Sequence, residues 1–230
     1  NILGVHGRDL DTVLSQVKER KPDLVFNIVE SLCGDTRNEL VIPALLDLIG
    51  QPYTGPDALA IGLCLHKVQT KNVLRGQGIA TPEYLLVSSL TELEGSALRA
   101  QLRQIEYPYF LKLAREDASI GIEASNRVVD ENAFIERAAQ LLSKYQQPVL
   151  AERYIEGREV NVTVLGNDDD LHILPLHEID FAKMPDGRPH IVSYAAKWDE
   201  AHVDYAGTKP VPMKDVDPQL AERIASTAKG

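Results

Sequence analysis

The chain has 230 residues, of which 44% are hydrophobic and 25% charged, an ordinary globular composition with room for one large domain or two small ones. Its net charge of −10 excludes a generic nucleic-acid or membrane surface, which would need a basic face. No apolar run is long enough to span a membrane, and the two cysteines, Cys33 and Cys64, lack both metal-ligand spacing and disulfide-scaffold density. We therefore expect a cytoplasmic protein with free, buried thiols, in which any anionic ligand depends on locally placed lysines and backbone amides.

Strand-like and helix-like segments alternate at the start of the chain. The four segments are a strand at 2–7, a helix at 9–21, an almost uninterrupted apolar strand at 23–30 and a helix at 38–50. Pro43 should lie in or near the first turn of the last helix, and Gly50 should end it. This rhythm predicts a parallel sheet with right-handed crossovers.

The pattern changes after residue 50. Residues 51–87 contain two helical stretches, the second ended by Gly76 and Gly78, and a strand. The following segments are a strand at 109–113, a polar loop at 114–121, a strand at 122–128, a helix at 130–145, strands at 148–152 and 157–166, a long functional loop at 182–214 and a helix at 216–229. This part is typical of an α+β fold, with an antiparallel sheet covered by helices on one face.

Two charged strand ends are the most informative features. The run YPYFLK closes on Lys112, and the segment VLAERYIEGREV carries Glu152 and Glu159. A lysine that ends a buried strand needs a counter-charge, which can be a partner carboxylate or a bound phosphate, and the sequence leaves both open. Lysine can bind phosphate oxygens, and a carboxylate can accept hydrogen bonds from ribose hydroxyls, so the set would suit a nucleotide triphosphate.

Two connecting segments are weaker candidates for the same site. The loop AREDASIGI contains Ser119 and Gly121, and its backbone amides can cradle phosphate oxygens, although most polar loops cradle nothing. The connector at 152–155 precedes Gly157 and can expose backbone N–H and C=O groups to an adenine edge. Lys67 and Lys197 are, taken alone, ordinary surface cations.

Together these segments resemble the ATP-grasp superfamily, and within it the D-alanine–D-alanine ligase group. The matching segments run collinearly over residues 23–198: DLVFNIVE, PALLDLIGQPYTGPDALAIGLCLHKVQTKNVLRGQGIATP, YPYFLKLAREDASIGI, VLAERYIEGREVNVTVLG and SYAAKW. The resemblance implies that Lys67 and Lys112 hold the ATP phosphates. It also implies that Glu152, Arg153, Tyr154 and Ile155 form the adenine hinge and that Glu159 binds the ribose. Loop 115–121 would be the phosphate lid, Lys197 and Trp198 would lie on a second mobile loop, and Ser119 and Lys197 would be the catalytic residues.

The resemblance also implies an organisation and a reaction. We expect an N-terminal parallel-sheet pre-ATP-grasp domain at 1–64, a central ATP-grasp subdomain at 65–146 and a C-terminal subdomain at 147–230, with the fold incomplete at both ends. ATP and Mg²⁺ would be the cofactors. A carboxylate would be activated as an acylphosphate and joined to the amine of a small amino-acid or peptide substrate. A homodimer is left open.

Three departures from the family pattern leave a second hypothesis open. The family lid reads Gly-Ser-Ser-x-Gly, but here residues 117–121 read DASIG, so Ala118 replaces a serine that helps to anchor D-alanine. On the acceptor side, the segment that begins at Glu30 departs from the family's His-Gly-x-x-Gly-Glu-Asp-Gly run. No Asp followed by Glu-x-Asn occurs after residue 200, so we assign no metal ligand. The alternative is a module that binds ATP or ADP without turnover. A purely structural domain would leave Lys112, Glu152 and Glu159 unexplained.

Overall fold

The computed structural model describes residues 2–5, 7 and 9–230 of the chain. These residues form two compact units. The first comprises the described residues up to 72 together with 114–117, and the second comprises 73–113 and 118–230. The division into domains at 1–64, 65–146 and 147–230 stays a prediction.

The first unit is a set of short helices. Helix α1 (Leu10–Arg20) begins at Asp9, whose carboxylate accepts from the Thr12 N–H at 3.0 Å, as an N-cap should. A 3₁₀ turn (Thr36–Asn38) precedes α2 (Val41–Leu48), α3 (Ala58–Leu65) and α4 (Lys67–Gly76), of which residues 67–72 belong to this unit. The three predicted helices after α1 are thus confirmed, and Pro43 lies in the first turn of α2. The core of this unit is small and consists of Val17, Leu32, Ile42 and Leu46.

The strands predicted for this unit are not confirmed. Residues 2–5 carry no strand, and His6 lies outside the described residues. Residues 23–30 make one isolated parallel bridge, between Val25 and Tyr53, in which the Val25 N–H donates to the Pro52 carbonyl at 2.9 Å. Phe26 and Ile28 are each 76% exposed. A strand requires a continuous series of backbone hydrogen bonds to a neighbouring strand. In residues 23–30 the structure shows one bridge, where we expected a strand of a parallel sheet.

The second unit is built on a four-stranded antiparallel sheet. Its strands are β1 (Tyr84–Val87), β2 (Tyr109–Leu113), β3 (Arg127–Val128) and β4 (Val149–Arg153), in the order β1-β4-β2-β3. Helices α5 (Leu90–Glu94), α6 (Ser96–Leu102) and α7 (Glu131–Tyr145) contribute to a core in which Leu111 and Phe134 are fully buried. The predicted antiparallel sheet is thus confirmed, whereas α5 and α6 were not predicted.

The rest of the second unit consists of short elements. Strands β5 (Val160–Asn161), β8 (His177–Asp180) and β9 (Lys209–Pro212) form one antiparallel sheet, and β6 (Val164–Asn167) pairs with β7 (Asp170–Ile173). Helices α8 (Tyr194–Trp198), α9 (Val203–Gly207) and α10 (Pro218–Lys229) follow. The single strand predicted at 157–166 is therefore two strands. The loop predicted at 182–214 contains two helices and a strand.

Two further expectations change. The strand predicted at 122–128 is a 3₁₀ turn (Ala124–Asn126) followed by the two-residue β3. Cys33 and Cys64 are free thiols as predicted, but both are exposed. In the part of the chain that the structure describes, no helix combines the length and apolarity needed to cross a membrane.

Candidate nucleotide-binding site

Lys112 and Glu152 form an ion pair on one face of the central sheet. Lys112 lies opposite Leu150, and Glu152 lies opposite Phe110, so the two side chains are diagonal neighbours on β2 and β4. The Lys112 ammonium contacts the Glu152 carboxylate, with side-chain exposures of 27% and 11%. Of the two alternatives that the sequence left open for Lys112, the structure shows the partner carboxylate.

The connector after β4 is held by its neighbours. The N–H groups of Arg153 and Tyr154 donate to the carbonyls of Glu83 and Pro108, both at 2.9 Å. The Arg153 guanidinium contacts Glu106 at 3.1 Å. These contacts fix the backbone at the start of the predicted adenine hinge.

Tyr154, within the connector, lines an open cavity. The next residue, Ile155, is 64% exposed and is not one of the lining residues. The Tyr154 hydroxyl donates to the His190 carbonyl at 3.0 Å, and its burial raises the pKa of the phenol. A cavity of about 740 Å³, lined by residues that include Tyr154 and Arg127, opens here, within the size range of small-molecule sites. Arg127 and His190 were not identified from the sequence, because only the fold brings them beside the connector.

Glu159 and Lys197 interact electrostatically. Glu159 lies just before β5, and although the residue is exposed overall, partial burial of its carboxyl group raises the pKa, while the positive charge of Lys197 on α8 acts in the opposite direction. The structure therefore brings the predicted ribose carboxylate and one predicted catalytic lysine into the same electrostatic environment.

The loop that carries Ser119 contacts the segment that carries Lys197. The Ser119 hydroxyl donates to the Val192 carbonyl at 2.9 Å, and the Trp198 indole N–H donates to the Ala118 carbonyl at 3.2 Å. Ala118 and Ser119 both have positive φ, at 47° and 62°. The catalytic role of Ser119 stays a prediction; in this structure its hydroxyl joins the two segments.

Gly121 ends this loop at a position that no other residue fits well. Its φ is +74°, and a Cβ there would lie 3.2 Å from the Leu113 side chain and 3.3 Å from that of Tyr145. Glycine at this position therefore allows the loop to turn tightly against the core.

The α4 helix presents two lysines on one face. Lys67 begins the helix, and its ammonium donates to the Glu116 carbonyl. Lys71, one turn later, is 5% exposed and was not singled out from the sequence. The spacing of Lys67, Thr70, Lys71 and Leu74 could have shown that Lys71 shares a helical face with Lys67. The burial of Lys71 could not be predicted in this way, because it depends on tertiary packing. Lys67 and Lys71 belong to the first unit, whereas Lys112, Glu152, Glu159 and Lys197 belong to the second.

The candidate site combines lysine ammonium groups with carboxylates. Within residues 2–5, 7 and 9–230, no group of three or more His, Cys, Asp or Glu side chains is placed to hold a metal. The cations are lysines at the end of a strand and on helices, which bind anions such as phosphate.

Comparison with known proteins agrees with the resemblance seen in the sequence. Residues 73–229 match the family model described as D-ala D-ala ligase C-terminus. The uncharacterized protein y4sG of Sinorhizobium fredii is 33% identical over 165 residues, which are 71% of this chain and 45% of that protein. The D-alanine–D-alanine ligase of Paracidovorax citrulli is 32% identical over 176 residues, which are 76% of this chain and 50% of the ligase.

A solved structure shows the same fold. The crystal structure of D-alanine–D-alanine ligase from Bacillus anthracis complexed with ATP superposes with a TM-score of 0.66 at 19% identity, covering 99% of this chain and 64% of that one. The fold and the family match together define an ATP-grasp protein. Within that class, the chain belongs to the D-alanine–D-alanine ligase family. It spans about half the length of the curated relatives it matches.

Proposed function

We propose that the chain is the nucleotide-binding part of an ATP-dependent carboxylate–amine ligase. The observation that carries the proposal is the partly buried Lys112–Glu152 pair, which lies on the β2–β4 face directly before the connector. Lys112 binds phosphate oxygens of ATP, and the connector at 152–155 receives the adenine. Glu159 accepts hydrogen bonds from the ribose hydroxyls.

The reaction has two steps. A substrate carboxylate oxygen attacks the γ-phosphorus of ATP, the bond to the β-phosphate oxygen breaks, and ADP leaves with an acylphosphate formed. The amine of a second substrate then attacks the acyl carbon, phosphate departs with the electrons of the C–O bond, and the amine loses its proton. Mg²⁺, when bound with the nucleotide, would neutralise part of the phosphate charge. Lys197 and the amides of the loop at 118–121 stabilise the charge that develops on the transferring group.

The α4 lysines are proposed to share the phosphate charge. Lys67 is the residue that the family pattern indicates, and Lys71 is the more buried of the two. Both carry an ammonium group, which can bind phosphate oxygens. Separate substitutions of Lys67 and Lys71 decide which of them contributes to nucleotide affinity.

The substrate class is a small amino acid or peptide. Ala118 has no hydroxyl, so it cannot donate the hydrogen bond that the family serine gives to D-alanine. We therefore propose that the acceptor side of the full-length enzyme differs from that of a strict D-alanine–D-alanine ligase. A homodimer remains a prediction.

Calorimetric titration with the Mg²⁺ complex of a non-hydrolysable ATP analogue tests the nucleotide site. In a separate unfolding experiment, a hundredfold excess of the analogue over Kd should raise the free energy of unfolding by about 2.7 kcal/mol. Lys112→Ala should remove most of the affinity, a loss of about 2–5 kcal/mol, because it leaves phosphate charge unpaired. Lys144→Ala, which removes an exposed lysine of α7, is the matched control and should bind as the unsubstituted chain does. Unchanged affinity in Lys112→Ala would remove Lys112 from the site.

The altered lid at 117–121 favours a second candidate, a module that binds nucleotide without turnover. Phosphate release from ATP by the full-length protein, measured against a panel of D- and L-amino acids, separates the two. Release that depends on an amino acid identifies a ligase, whereas tight binding without release identifies the module.

A further inference from the structure

Asn126 is a fully buried polar residue that the proposed chemistry does not use. It ends the 3₁₀ turn at Ala124–Asn126 and is 0% exposed. Its side-chain amide donates both hydrogens, to the Leu111 carbonyl at 2.6 Å and to the Gly121 carbonyl at 2.9 Å. Its carbonyl oxygen accepts from the Glu123 N–H at 3.0 Å. Both donors of this amide are therefore used.

Arg137 on α7 completes the network. Its Nε and Nη2 donate to the Asn126 carbonyl oxygen at 3.1 and 2.6 Å. Its Nη2 also lies 3.2 Å from a Glu123 carboxylate oxygen. The Arg137 side chain is 11% exposed, so this charge-assisted contact is largely shielded from water. Since Asn126 is held from behind by a helix of the core, it cannot reorient without breaking several hydrogen bonds.

The two carbonyls that Asn126 binds belong to different parts of the candidate site. Leu111 precedes Lys112 on β2, and Gly121 ends the loop that carries Ser119. The ladder between β2 and β3 stops at the Phe110–Arg127 pair, and the Asn126 side chain binds the next carbonyl along β2 in place of a strand neighbour. One side chain thus fixes the spacing between the strand of Lys112 and the end of the loop.

We infer that Asn126, held by Arg137, is a positioning residue for the phosphate end of the nucleotide site. The inference rests on the proposed function, in which Lys112 and the loop amides bind the same polyphosphate. Asn126 does not touch the nucleotide. It sets the distance between the two groups that do, and an error in that distance weakens binding of the β- and γ-phosphates while leaving the adenosine contacts at the connector unchanged.

The test compares two nucleotides. Binding of a non-hydrolysable ATP analogue and of AMP, both with Mg²⁺, is measured by calorimetry on the unsubstituted chain and on Asn126→Asp. This isosteric change removes both donors and places an oxygen against two carbonyls. We expect the affinity for the ATP analogue to fall at least about tenfold. This is the factor expected when one hydrogen bond between the protein and a phosphate oxygen is lost. The affinity for AMP should stay unchanged within error.

A matched control and a second variant keep the test decisive. Leu98→Ala removes a core side chain of α6 that is 6% exposed, and it should lower stability while leaving the ratio of the two affinities unchanged. If Asn126→Asp does not fold, Arg137→Lys replaces it, because lysine keeps the charge but cannot donate two hydrogen bonds to the Asn126 carbonyl oxygen as arginine does. We expect the same result: weaker binding of the ATP analogue and unchanged binding of AMP.

Two outcomes contradict the inference. An unchanged ratio in a folded Asn126 or Arg137 variant, or an equal loss for both nucleotides, makes Asn126 a purely structural residue and leaves the proposed function standing. Failure of the unsubstituted chain to bind either nucleotide overturns the proposed function, and the inference with it.

Discussion

The two units treat apolar residues differently. In the first unit Phe26 and Ile28 are each 76% exposed, and Leu48 and Leu59 are 81% and 80% exposed. In the second unit the apolar run at 109–113 forms β2, paired on one edge by β4 and on the other by β3, and Leu111 is fully buried. The run at 23–30, which contains Phe26 and Ile28, and the run at 109–113 both have the composition of a strand. The difference teaches that an apolar run becomes a strand only where neighbouring segments supply a ladder.

The largest expected effect is the difference in stability between two phenylalanine-to-alanine variants, one in each unit. Phe134→Ala removes a fully buried ring from the core of the second unit and should lower the free energy of unfolding by about 3–5 kcal/mol. Phe26→Ala removes a ring that is 76% exposed and should change it by no more than about 0.5 kcal/mol. Denaturant unfolding followed by circular dichroism measures both. Equal losses would contradict the comparison.

A smaller effect separates two arginines. Arg137→Ala leaves the carbonyl oxygen of buried Asn126 without two of its donors. The free energy of unfolding should therefore fall by about 1–3 kcal/mol. Arg37 in the first unit pairs with Asp35 at the surface, where the guanidinium hydrogen bond lowers the pKa of the Asp35 carboxyl group. Arg37→Ala should leave the melting temperature unchanged within error. A large shift there would show that the first unit depends on its surface charges.

The smallest effect is a pH dependence shared by one glutamate in each unit. Burial raises the pKa of Glu39 in the first unit, with Asp117 and Glu30 adding to it, and burial raises that of Glu159 in the second. A raised pKa means that the folded chain binds the proton more tightly than the unfolded chain. Stability is therefore full below the unfolded pKa and is lost as pH rises through the folded one.

Glu39→Gln and Glu159→Gln should each raise the melting temperature near neutral pH. The gain should disappear once the pH falls below the unfolded-chain glutamate pKa of about 4.3. Only Glu159→Gln should also weaken nucleotide binding, because the neutral amide is a poorer acceptor for ribose hydroxyls than the carboxylate. A pH-independent gain would show that packing, not ionisation, causes it.

Much of the second unit could be predicted from the sequence. The runs that became β2 and β4 are short, apolar and bounded by turn residues, and the helix at 131–145 has a clear N-cap at Asp130. The charges of Lys112 and Glu152 were recognisable as candidate site groups. Their pairing was not, because it depends on the register that places Lys112 opposite Leu150.

Other features depend on tertiary contacts that no local pattern encodes. The strand predicted at 122–128 is interrupted because the Asn126 side chain takes a ladder position on β2. The predicted loop at 182–214 contains helix α8, capped where the Ser193 hydroxyl accepts from the Ala196 N–H at 3.1 Å and donates to buried Asp204 at 2.7 Å. The burial of Lys71, like these contacts, follows from packing between distant segments.

The indole of Trp198 has a practical consequence. It is the single tryptophan of the chain, and its N–H meets the backbone of the loop that the proposed function places over the phosphates. Any parting of these two segments would change the solvent around one fluorophore. Intrinsic emission would then follow the movement of this lid directly, without a label and on the timescale of stopped flow.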